Sequence, residues 1–208
     1  MGQEFHITSQ PDDALILIDV QHDFLPGGAL AVPDGDRILP AVEALADRFD
    51  QVILTQDWHP AGHSSFASSH PGRAPFEQVA MPYGGQVLWP DHCVQGTPGA
   101  DLALPDRVLD KARLILRKGA RPGIDSYSAF RENDRETRTG LAGYLRELRV
   151  RRVILAGLAT DYCVGFSALD ARQAGFDVVV IEAACRGIAP ESIAERKAEM
   201  VQAGVMII

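Results

Sequence analysis

The chain has 208 residues, 46% of them apolar and 23% charged, and a formal net charge of -8, which suits one globular domain over residues 1–208 of a size common among α/β folds. With no Lys/Arg-rich block, this acidic balance excludes the electrostatic footprint for nucleic acid or an anionic membrane, and a small-molecule partner is expected. No apolar stretch approaches bilayer length. The start MGQEFHITSQPDD lacks the basic end and apolar core of a signal peptide, and His6 stands where a myristoylation motif at Gly2 takes Ser or Thr, so the expected compartment is the cytoplasm.

Along the chain, short β-rich apolar runs recur with amphipathic segments between them, the pattern of a parallel sheet covered on both faces. The runs are ALILIDV (14–20), QVILTQD (51–57), RLILRKG (113–119), RVILAGLA (152–159), DVVVIEA (177–183) and a terminal VMII. Between the first two, DRILPAVEALADRF spaces Ile38, Leu39, Val42, Leu45, Ala46 and Phe49 as one helical face, with Asp34 or Asp36 available to cap it. TGLAGYLRELRV repeats the pattern, and PESIAERKAEMVQAG opens on a helix-start proline and closes on Gly204. The segment 60–105, rich in Gly, Pro, Ser and His, is too long for an idle connection and is expected to build or cover a site.

In an open parallel sheet, ligands bind at the carboxyl ends of the strands. Four consecutive runs end in Asp19, in Asp57 with His59, in Lys118, and in the turn Thr160-Asp161-Tyr162-Cys163. Three cysteines, Cys93, Cys163 and Cys185, are too few and too odd for a disulfide framework. Packing is the ordinary role for such residues. Cys163 differs because it falls in the first turn of a helix expected from Tyr162 to Gly175, with Thr160 or Asp161 as N-cap, where the dipole and unpaired N–H groups favour a thiolate. A desolvated Asp19 can accept a thiol proton, and Lys118 between the two offsets their repulsion. Asp57 and His59, with His92 far along the chain, can present oxygen and imidazole to a divalent ion. A solvated loop with several histidines explains the same residues equally well.

DVQHDFLPGGAL, TQDWHPAGHSSFA, LWPDHCVQGTPGA, RKG, DSYSAF and GLATDYCV, in this order and over nearly the whole chain, resemble the nicotinamidases of the isochorismatase-like cysteine hydrolase superfamily. The resemblance implies a three-layer α/β/α sandwich around a mostly parallel sheet, and an Asp19-Lys118-Cys163 triad that hydrolyses nicotinamide, with pyrazinamide also accepted. It implies one divalent ion, zinc with manganese or iron as variants, on Asp57, His59 and His92, with His63 and Ser65 as secondary contacts. A cis bond at Leu158-Ala159 would let the N–H groups of Ala159 and Cys163 form an oxyanion hole. Phe24, Trp89, Tyr127, Leu158 and Ala159 would surround the pyridine ring, and homo-oligomerisation is left open. The first motif departs from many relatives by carrying His22 where they have Asn. Amidases acting on carbamoyl or ureido groups share the triad but generally lack the metal residues, and a non-catalytic metal-binding or redox-sensing protein is the remoter alternative.

Overall fold

The computed structural model describes residues 7–208, so the readings at Gly2 and His6 lie outside the described residues. Strands β1 (Asp13–Ile18) and β2 (Val52–Asp57) are buried at every position, as unbroken apolar runs require when both faces of a parallel sheet are covered. With β5 (Ala112–Lys118), β6 (Arg152–Leu158), β7 (Asp177–Arg186) and β8 (Met206–Ile207) they form a six-stranded sheet in the order β5-β2-β1-β6-β7-β8. Every neighbouring pair in it is parallel. From β1 the chain moves outward to β2 and β5, then returns to β6 on the other side of β1. That reversal opens a crevice between the carboxyl ends of β1 and β6.

Alternate residues of β1 feed two cores. Leu15 and Leu17 pack with Ala41, Val42 and Leu45 of α1 (Leu39–Arg48) on one face. Ile16 and Ile18 face the opposite core with Leu141 and Leu145 of α3 (Leu141–Glu147), Ala168 and Ala171 of α4 (Gly165–Gln173), and Met200 of α5 (Pro190–Gln202). The result is the expected three-layer sandwich. The segment 60–105 contains an antiparallel hairpin of β3 (Gln78–Met81) and β4 (Gly84–Val87) joined to tight turns. Backbone bonds from Trp89 N–H to the Ser65 carbonyl (2.8 Å), from His59 N–H to that of Cys93 (3.0 Å) and from Ala103 N–H to that of Val20 (2.8 Å) hold it over the strand ends. A one-turn helix, α2 (Asp106–Leu109), then leads into β5.

The helix starts differ from expectation. Residues 35–38 form a separate tight turn and α1 begins at Leu39 with Pro40 in its first turn, so neither Asp34 nor Asp36 is placed to cap it. Asp34 instead pairs with Arg37 at 3.3 Å. The helix expected from Tyr162 begins as one wide turn, Thr160–Val164, and neither Thr160 nor Asp161 caps it through a side chain. Buried Asp161 turns away to the start of α5, accepting hydrogen bonds from Ile188 N–H (3.0 Å), Ala189 N–H (3.2 Å) and the Ser192 hydroxyl (2.6 Å). It thus ties the segment carrying Cys163 to α5, whose Pro190 start and Gly204 finish, at φ +82°, agree with the sequence reading.

Removing that buried carboxylate strands several part-buried donors, so Asp161→Ala is expected to lower stability by about 1–3 kcal/mol and Asp161→Asn by less. Urea unfolding followed by circular dichroism measures both; equal stability of Asp161→Ala and the parent chain would remove this tie from the account.

Candidate active site

Lys118, at the last position of β5, is buried, and the Asp57↔Lys118 register sets it level with the end of β2. Its Nζ lies 2.9 Å from Asp19 Oδ2, 3.2 Å from Asp57 Oδ1 and 3.4 Å from Cys163 Sγ, and donates to the Ser126 carbonyl at 2.8 Å. Asp19 leaves β1 at φ +46° and is locked by Thr55, whose hydroxyl donates to Oδ1 at 2.5 Å and accepts from the Asp19 N–H at 3.0 Å. Asp19 Oδ2 carries the ion contact with Lys118 and no hydrogen bond among the described residues, which leaves it a lone pair to accept a proton. Cys163 sits where the Ala159 carbonyl accepts from both Tyr162 and Val164 N–H at 3.1 Å, just after a cis Leu158-Ala159 bond.

Burial pushes the Asp19 carboxyl up despite Lys118 beside it. Burial likewise drives the Cys163 thiol well above the thiol range, more than Lys118 brings it down. For Lys118 itself, burial works against the ammonium, but the Asp19 and Asp57 carboxylates outweigh it and hold the group well above the lysine range. The cation therefore persists beside a carboxylate with raised basicity and a protonated thiol.

A second cluster shares Asp57. Single donor atoms of Asp57, His59 and His92 lie within 4.8 Å of one another, and all three residues are buried. His59 Nδ1 is 2.9 Å from the Gly119 carbonyl and His92 Nδ1 is 2.8 Å from that of Pro90. A carbonyl only accepts, so each Nδ1 carries a proton, and each Nε2 faces Asp57 Oδ2, at 3.0 and 3.4 Å, where it donates a proton to the carboxylate without an ion and offers its lone pair to one. Two imidazole lone pairs and a carboxylate oxygen converging in a buried space fit a divalent cation. Gly119 is at φ +64°, and a Cβ there would come within 2.5 Å of the His59 ring, so the glycine after Lys118 is what allows this approach. Gln21 braces the same strand end, donating to the Asp57 carbonyl and accepting from the Asp57 N–H, each at 2.8 Å.

A narrow cleft of ≈30 Å³ is shared by the two clusters: Cys163, Ala159, Asp57 and His92 all line it, together with Phe24, Trp89 and Tyr127. Trp89 stands edge-on to Tyr162 at 4.8 Å and to Tyr127 at 6.2 Å. Leu158 does not reach the cleft; it is wholly buried in the core and meets the site only through its peptide bond. His63 lies behind His59, rings 4.3 Å apart, with Nδ1 2.8 Å from the Ser65 hydroxyl and Nε2 2.8 Å from the Arg121 carbonyl. Both its nitrogens are taken, so His63 and Ser65 support the metal residues without joining them. His22 is exposed and borders a separate surface depression with Asp36 and Asp101. Asp125, Tyr162 and Ile188 also line the cleft. Asp125 follows Lys118 by seven residues inside a segment without periodicity, and only its acidic character in DSYSAF hinted at a role.

The isochorismatase domain family matches residues 13–208. The chain belongs to this family. Within the family it is 51% identical to a nicotinamidase from Acinetobacter baylyi over 99% of its own length and 96% of that protein's. It is 45% identical to an Escherichia coli nicotinamidase, covering 95% and 94% of the two chains. Among solved structures, a nicotinamidase/pyrazinamidase from Acinetobacter baumanii superposes with a TM-score of 0.93 at 49% identity, covering 97% of each chain. An L. infantum structure in complex with nicotinate gives 0.84 at 39% identity, over 97% and 95%, and a Pyrococcus horikoshii pyrazinamidase in complex with zinc gives 0.77 at 38%, over 95% and 99%.

Of the three cysteines in this family member, all free and buried, only Cys163 opens onto the cleft. Burial holds Cys185 up to about 12 and pushes Cys93 well above the thiol range. Brief iodoacetamide treatment with peptide mass spectrometry is therefore expected to find Cys163 labelled first, and faster as pH rises above neutrality. First labelling at Cys185 or Cys93 would be the opposite result.

Proposed function

We propose that this chain hydrolyses nicotinamide to nicotinate and ammonia through a thioester on Cys163, and that it accepts pyrazinamide in the same way. The observation that carries the reading is the buried ammonium of Lys118, in contact at once with Asp19, with Asp57 and with the sulfur of Cys163, behind a cleft lined by Cys163, Asp57 and His92 together. The nicotinamidase and pyrazinamidase relatives, and the nicotinate held by the L. infantum structure, support the substrate class. Other amide hydrolases need only the triad; the metal residues in the same cleft favour a pyridine or pyrazine amide.

Asp19 takes the thiol proton as Sγ attacks the carboxamide carbon, and the N–H groups of Ala159 and Cys163 receive the developing oxyanion. Asp19 returns that proton to the amine, the C–N bond breaks, and ammonia leaves a thioester. Water then attacks the acyl carbon, giving a proton to Asp19; the C–S bond breaks and Asp19 reprotonates the sulfur. Lys118 stays charged throughout and limits the cost of each anionic form. Phe24, Trp89 and Tyr127 clasp a flat ring, and the narrowness of the cleft excludes bulky amides. We assign zinc to Asp57, His59 and His92, a carboxylate and two imidazoles that also suit manganese or iron. When bound, the ion supplies a Lewis-acid position for a ring nitrogen and for water. Every residue assigned here comes from one chain, residues 1–208 acting as a single hydrolase domain. Three free cysteines suit the cytoplasm.

Cys163→Ala is expected to cut ammonia release from nicotinamide by on the order of 10⁴-fold or more, and Lys118→Met to lower kcat by at least about a hundredfold with little change in KM. Near-normal turnover by Cys163→Ala would refute the nucleophile, and a rise in KM alone would make Lys118 a binding residue.

Benzamide has the shape of nicotinamide without the ring nitrogen. The metal-loaded enzyme is expected to prefer nicotinamide in kcat/KM by at least about a hundredfold, and chelation or His92→Ala to collapse that preference while Cys163 stays open to alkylation. A preference that survives complete metal removal would assign the selectivity to the aromatic walls instead.

A further inference from the structure

On the flank where the loop 130–140 meets α3 and α4, a cavity of ≈340 Å³ is lined by Arg131, Arg138 and Arg146, with Phe130, Gly140 and Asp170 among its other walls. It shares no residue with the cleft at Cys163. Arg131 and Arg138 face each other across an isolated antiparallel bridge, an arrangement in which like charges repel. The Arg138 side chain is exposed and has no hydrogen-bond or ion-pair partner among the described residues. The Arg131 guanidinium reaches only the Arg135 carbonyl, at 3.3 Å, and Arg146 donates to the Ala174 carbonyl at 2.7 Å.

Asp170 is the single acid among the described residues of the wall, and it does not answer these charges. Arg135 takes both its oxygens, at 3.1 and 2.5 Å. Three arginines thus line one concave space, and among the described residues no carboxylate pairs with any of them, in a chain whose net charge is -8. Like charges set side by side repel, and a bound anion offsets that repulsion.

We propose, independently of the reaction assigned above, that this cavity binds a small molecule carrying a phosphate group. Arginine forks match the tetrahedral oxygens of phosphate bidentately, and three of them around one point can share a dianion where a lone carboxylate would satisfy only one. The volume lies at the lower end of the range for small-ligand sites, which fits a sugar phosphate or a mononucleotide and leaves no room for a polymer to thread.

The test is calorimetric titration of the full-length, metal-loaded enzyme at fixed ionic strength with ribose 5-phosphate and with adenosine monophosphate, each against its unphosphorylated parent. Both phosphates, or one of them, are expected to bind while ribose and adenosine do not; which phosphate binds more tightly tells whether the base contributes. Arg138→Ala and Arg131→Ala are each expected to weaken binding by roughly tenfold or more. Arg113→Ala, which removes a charge from β5 outside the cavity, is expected to leave it unchanged. Ammonia release by Arg138→Ala at the parent rate certifies that the variant is folded. Absence of binding by either phosphate, equal binding of the unphosphorylated compounds, or the same loss in Arg113→Ala as in Arg138→Ala would overturn the proposal.

Discussion

A lysine ammonium with no contact with water needs acceptors on every side, and Lys118 finds them in two carboxylates, a backbone carbonyl and a sulfur. Each acceptor arrives on a different piece of chain: Asp19 from β1, Asp57 from β2, the Ser126 carbonyl from the segment after β5, and Cys163 from the turn after β6. The sheet order brings these ends together, because β6 crosses back to lie beside β1 while β5 stays at the edge. Were the cation absent, Asp19 and Asp57 would face one another in a dry interior with only mutual repulsion. The Asp19-Lys118-Cys163 cluster and the Asp57-His59-His92 cluster are therefore joined by charge. Asp57 belongs to both, pairing with Lys118 through Oδ1 and facing the two histidines through Oδ2.

That shared carboxylate explains why so much of the neighbourhood is devoted to orientation. Gln21 grips the backbone of Asp57, the Gly119 and Pro90 carbonyls set which nitrogen of each histidine is free, and His63 stacks behind His59 with its own nitrogens occupied. A carboxylate held low by its cationic neighbours does not drift between partners. Burial opposes the ionised form of Asp57, yet His59 and Lys118 hold it well below the ordinary carboxylate range.

The long apolar runs were legible because a strand covered on both faces has no room for polar interruption, so β1, β2 and β6 stand out without any knowledge of their partners. Their polar ends were legible for the same reason, and Asp19, Asp57, Lys118 and Cys163 were found there. Helix starts read less well. Asp161 sits at the right place to cap its own helix, but its carboxylate has better donors in the turn leading into α5 and in its first turn, more than twenty residues away in sequence, and local patterning carries no trace of them. The inner faces of 60–105 were opaque too, because that segment gains its shape from backbone bonds to strand ends and not from periodicity. Asp125, Tyr162 and Ile188 reach the cleft from the chain that follows β5, β6 and β7, beyond the apolar runs that made those strands legible. Leu158 was misplaced because its neighbour Ala159 is at the site, and one residue further back along the chain is already core.

Burial suppresses the Cys163 thiolate, and the Lys118 charge offsets that suppression and keeps the thiolate accessible. The direct measurement is the pH profile of Cys163 alkylation by iodoacetamide in the parent chain and in Lys118→Met, followed by mass spectrometry of the modified peptide. The parent thiol is already held above the ordinary range by burial, and Lys118 opposes that rise; removing the cation is therefore predicted to move the whole profile to higher pH and to slow labelling at neutrality. A profile that stays in place, or moves to lower pH, would contradict the account.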